Sequence, residues 1–124
     1  GAEIPHYVDS QTGAPRTYPD IQGATEQGAI AMERWLETDG ASYGWKEVNA
    51  ETAQAFANAG YPAVTTSKAA GHVQMVVPSE SGGYDEIRGV AVAQAGARVY
   101  NYTYLSNIYG AEGRKSVRYF VHET

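Results

Sequence analysis

The chain has 124 residues, 43% hydrophobic and 19% charged, enough for one packed domain and too few for two. Its net charge of −5 argues against nucleic acid or an anionic membrane as the main partner, and no apolar run reaches the roughly 18 residues of a membrane-spanning helix. With no cysteine anywhere, disulfides, cysteine-ligated zinc and an internal cysteine nucleophile are excluded.

Residues 1–23 carry Pro5, Gly13, Pro15 and Pro19 and no sustained period, so an extended, loop-like lead-in is expected. From Thr25 to Glu37 the spacing is helical, with Ala29, Met32, Trp35 and Leu36 on one face, and Gly40 and Gly44 close the segment. Trp45–Val48 reads as a short strand. Asn49 is a suitable N-cap for a helix over 50–59, and Gly60 stands where a helix-ending glycine belongs. Tyr61–Thr66 alternates as a strand, and 67–70 turns the chain into Gly71-His72-Val73-Gln74-Met75-Val76.

The polar, glycine-rich stretch 79–86 then separates that strand from Val90-Ala91-Val92-Ala93-Gln94, which predicts an antiparallel hairpin. Symmetry about Gly83 places His72 opposite Gln94. Residues 98–109 read as a loop with one short helix around 104–108, residues 110–115 as a polar turn, and 116–122 as a final strand. Helices first and about four or more antiparallel strands after them predict an α+β domain.

His72 is the leading candidate for chemistry. A histidine at a strand mouth after a glycine is suited to act as a base, and a glutamine carbonyl at cross-strand distance would orient its ring. Two ordinary readings stand beside this one: a strand-end histidine satisfied by backbone, and a structural Gln94 amide. His6 and His122 lack short metal spacing to His72, so neither a metal nor another cofactor is expected. Asp85 and Glu86 are expected to be solvated at the hairpin tip. Ten tyrosines against two phenylalanines suit a surface with one wet side. Tyr100-Asn101-Tyr102 fits either a groove wall for a glycan or peptide, or packing.

Several local stretches resemble the papain-like peptidoglycan amidases and endopeptidases of the NlpC/P60 and CHAP type. Trp45-Lys46-Glu47-Val48 followed by Ala53-Gln54 and Ala57-Asn58-Ala59-Gly60-Tyr61 resembles the helix that leads into the family's histidine strand. Gly71-His72-Val73 resembles the opening of that strand. Ala93-Gln94-Ala95-Gly96-Ala97 with Tyr100-Asn101-Tyr102 resembles the stretch beyond it, and Val117–His122 the last strand. Together these cover roughly residues 20–123.

The resemblance implies that His72 is the general base and that Gln94 or Asn101 orients it; in the groove-wall reading Tyr100 and Tyr102 touch substrate. It also implies peptidoglycan peptide or glycan as partner and a secreted or cell-wall location. The departure concerns the nucleophile, which in this family is a cysteine opening an N-terminal helix. Three accounts follow: a histidine-bearing portion whose cysteine segment lies upstream, inert by itself; a cysteine-less relative that binds cell-wall peptide or glycan; or a secreted interaction module with only fold-level likeness.

Overall fold

The computed structural model describes residues 6–16, 19–95 and 100–123, without the side chains of 94, 95, 100 and 101. In chain order the elements are β1 (Tyr7–Asp9), β2 (Pro15–Arg16), β3 (Ala24–Glu26), α1 (Ala29–Thr38), β4 (Trp45–Val48), α2 (Ala50–Asn58), β5 (Ala63–Ser67), β6 (His72–Val76), β7 (Ala91–Ala95), β8 (Tyr100–Tyr104), α3 (Ala111–Lys115) and β9 (Arg118–His122). Single 3₁₀ turns at Gly40–Tyr43 and Leu105–Asn107 complete the list. The class is α+β, as the sequence predicts.

A six-stranded antiparallel sheet in the order β4-β9-β5-β6-β7-β8 forms the body of the domain. Its two faces carry different residues. On one, Trp35 and Leu36 of α1 pack with Trp45, Val64 and Phe120, and with Val73 and Met75 at the margin. On the other, Ala53 and Ala57 of α2 pack with Ala63, Val76, Val92 and Val121. Leu105 and Val117, which bracket the α3 segment, join this second cluster. A strand covered on both faces has no solvent side, which is why β5 is buried at all five positions instead of alternating.

The helices begin and end for local reasons. Asn49 caps α2, its side-chain oxygen accepting the Thr52 amide at 2.8 Å, and Gly60 follows with a φ of 93°. Gly44, at φ 92°, ends the 3₁₀ turn beneath His122. That histidine is structural: it is buried, its Nε2 lies 2.8 Å from the Tyr43 carbonyl, and its ring meets Trp45 edge-on.

Five expectations are corrected. The first helix begins at Ala29, not Thr25, because 24–26 is the strand β3. The lead-in is not loop alone: its β1 and β2 join β3 in a small antiparallel sheet in the order β2-β1-β3. Its strands of two or three residues are too short to show a period. The Trp35 indole ties this sheet to the domain by donating to the Gly13 carbonyl at 2.7 Å. Residues 100–104, expected as loop, are the edge strand β8, and the expected short helix follows at 105–107. The turn at 110–115 contains the single helical turn α3. Asp85 is not simply solvated: its Oδ1 accepts the Ile87 and Arg88 amides and its Oδ2 pairs with Arg88, which holds its carboxyl below the usual range.

Candidate functional site

His72 opens β6 at the far end of the sheet from α2, pairs with Ser67 across the β5–β6 turn, and is exposed. Among the described residues no side chain hydrogen-bonds its ring. Gly71 has a φ of 68° and would meet nothing within 4 Å if it carried a Cβ. The glycine is therefore demanded by the left-handed turn, not by a close approach.

The hairpin register differs from symmetry about Gly83. Met75 pairs with Ala93 and Val76 with Val92, a shift of two residues that brings position 94 to the level of Gln74, one step short of His72. A shift of two preserves the face. On β8, Asn101 pairs with Gln94 and Tyr100 with Ala95. Backbone alternation therefore puts positions 72, 74, 94 and 101 on the α2 side of three neighbouring strands, while 100 and 102 fall on the α1 side.

Two levels can be followed along that α2 side. The first is apolar: Val121, Ala63, Val76 and Val92, packed under Ala53 and Ala57. The next is polar. Tyr119 pairs with Thr65, Thr65 with Gln74, and Gln94 with Asn101. Thr65 and Gln74 are buried and their side-chain oxygens lie 3.3 Å apart, whereas the Gln74 amide nitrogen has no hydrogen-bond partner among the described residues. His72 stands one step beyond this polar level.

Tyr102 is engaged. Its hydroxyl accepts the Glu80 amide at 2.9 Å and donates to the Tyr104 hydroxyl at 3.1 Å, so it braces the 79–86 loop. It still exposes 39% of its surface, on the stretch of the α1 side that α1 leaves open. The Tyr104 ring is covered by the Arg88 guanidinium, 3.9 Å from its centroid.

Sequence reasoning missed Gln54 as a bridging residue. Its side chain is 1% exposed, its Oε1 accepts the Ala91 amide at 2.8 Å, and its Nε2 donates to the Val77 carbonyl at 2.9 Å. It also missed a cleft of about 540 Å³ walled by Tyr84, Glu86, Arg114, Val117 and Tyr119. Burial pushes the Tyr119 hydroxyl there up to about 12. His72 does not line that cleft. No signal in the sequence joins these residues, which come from separate loops and strands.

Among the described residues no group of three or more His, Asp or Glu side chains is placed to hold a metal ion, and no helix is long and apolar enough to cross a membrane. No family model, curated protein or solved structure matches this chain.

Proposed function

We propose that the chain is the histidine-bearing part of a papain-like peptidoglycan amidase or endopeptidase of the NlpC/P60 or CHAP type, secreted or held at the cell wall. The observation that carries the proposal is His72 itself, exposed at the open end of a central strand, with positions 94 and 101 on the same side of the sheet. In this proposal the nucleophile is a cysteine thiol supplied outside these 124 residues. His72 takes the thiol proton as the sulfur attacks an amide carbonyl, then gives it to the amine as the carbon–nitrogen bond breaks. Water then releases the acyl group from sulfur. Gln94 or Asn101 orients the imidazole, and Tyr100 and Tyr102 contact the peptide or glycan.

The test is turbidity of purified cell walls. The 124 residues alone leave the walls intact, and joined to an upstream segment bearing the cysteine they clear them. That clearing disappears in His72→Ala. Clearing by the isolated chain that is lost in His72→Ala would overturn the requirement for an external thiol.

A second reading, a cell-wall binding module without catalysis, is favoured by the exposure of Tyr102 on the open part of the α1 side. Retention on insoluble peptidoglycan that survives His72→Ala but fails in Tyr100→Ala and Tyr102→Ala supports it. Neither retention nor clearing in any form would leave an unrelated interaction module.

A further inference from the structure

Two clefts meet at Tyr84. The first, of about 540 Å³, includes Asn49, Ala50, Glu86, Arg114 and Tyr119 in its walls. The second, of about 440 Å³, runs past Glu51, Ala55 and Asn58 of α2 to Gly82 and Gly83. Tyr84 lines both, so together they flank α2 along its nine residues, about 14 Å at 1.5 Å per residue. An extended chain of about four residues spans that distance.

The charges along the groove are not uniform. Arg114 donates through Nη1 to the Ile87 carbonyl at 2.9 Å, and among the described residues no carboxylate forms an ion pair with it. Its neighbour Lys115 is occupied by Glu112 at 3.0 Å. The first turn of α2, at Asn49 and Ala50, lies on the same cleft and adds the positive end of the helix dipole. Glu51 stands on the other cleft and Glu86 beside Arg114. These groups converge on Tyr84: Arg114, Glu86 and Glu51 all act on its hydroxyl, which burial pushes above its ordinary range.

One guanidinium, with one acid lining its own cleft and another the adjoining one, suits a single carboxylate. A polyanion such as a nucleotide would be repelled by Glu51 and Glu86 within a chain that is already acidic. A ligand carrying one negative and one positive end matches the pattern.

We propose that this groove binds a short zwitterionic peptide, with its terminal carboxylate on Arg114, its chain running past Tyr84 along α2 towards Gly82 and Gly83, and its ammonium drawn by the acids that line the two clefts. The Tyr84 ring forms the wall between the two ends. Arg suits this role because its fork donates two parallel hydrogen bonds to a carboxylate. The site is separate from His72, which lines neither cleft, and it holds whether or not the chain is part of a hydrolase.

The experiment is calorimetric titration of the 124-residue chain with tetra-alanine as the free acid, and in parallel with its C-terminal amide. The free acid binds with a Kd of about 1 mM or tighter, and the amide binds at least about tenfold more weakly, the loss expected for a charge-assisted hydrogen bond. Arg114→Gln weakens the acid by a similar factor and abolishes the difference between acid and amide, whereas His72→Ala changes neither. Equal affinity for acid and amide, which needs no variant to measure, would overturn the proposal. So would indifference to Arg114→Gln, or no saturable binding up to about 10 mM.

Discussion

Replacing Gln54 by leucine tests how α2 is joined to the sheet. Val77 and Ala91 face each other just beyond the β6–β7 ladder, and Val77 N–H donates to the Ala91 carbonyl at 3.0 Å. The return bond of that pair is absent. Instead the Gln54 amide is inserted, accepting from Ala91 N–H at 2.8 Å and donating to the Val77 carbonyl at 2.9 Å. A third bond from Nε2 reaches Asn58 Oδ1 at 3.0 Å. Leucine fills a similar volume but leaves the Ala91 N–H and the Val77 C=O without partners, Ala91 being fully buried. Each such group costs about 1–3 kcal/mol when buried, and half-buried Val77 falls at the low end, so Gln54→Leu is expected to destabilise by about 2–4 kcal/mol. For a domain of this size that is a fall in Tm of about 8–16 °C.

Urea unfolding measures the loss, with an unchanged m-value indicating that the native and denatured states keep their compactness. Amide exchange at Ala91 localises it, since that proton loses its acceptor. A loss under about 0.5 kcal/mol with Ala91 still protected would refute the bridging role. It would mean that the two strands close their missing bond directly once the side chain is removed.

Three further outcomes are expected. Gly44→Ala combines a φ of 92° with a methyl group driven into the His122 ring, and should cost about 2 kcal/mol or more by thermal unfolding. Tyr119, whose folded-state hydroxyl is pushed up to about 12 by burial, stabilises the fold fully below its ordinary value near 10. That contribution falls away as the pH rises from about 10 to about 12, so alkaline unfolding followed by circular dichroism should be less steep in Tyr119→Phe. His72→Ala, at an exposed position with no described hydrogen-bond partner, should leave stability within about 0.5 kcal/mol in chemical unfolding; a larger loss would make His72 a structural residue.

The edges of the site show where sequence reasoning reaches its range. His72 at a strand mouth, the Asn49 cap and the antiparallel hairpin are all legible, because each depends on residues within about one turn or one loop of the feature. The pairing of His72 with Gln94 is not. Register depends on how the 79–86 loop folds, and that loop is braced from outside by Asn58, which accepts the Ser79 amide, and by the Tyr102 hydroxyl on the Glu80 amide. Both partners lie at least twenty-one residues away in sequence. The outcome is a two-residue shift, which moves the partner along the strand yet keeps it on the same side of the sheet.

Composition and local pattern by themselves determine an acidic, cysteine-free chain of α+β class, with two amphipathic helices, a histidine at the start of a strand and caps at the ends of α2. These follow from short-range chemistry: side-chain period, cap oxygens and left-handed glycines. Tertiary structure alone decides the strand order β4-β9-β5-β6-β7-β8 and the complete burial of β5, because long-range pairing covers both of its faces. It alone inserts the Gln54 amide between Val77 and Ala91. It also brings Tyr84, Arg114 and Tyr119 from a loop, a short helix and a strand to one cleft. Such meetings are set by packing between segments far apart in the chain, and no local periodicity records them.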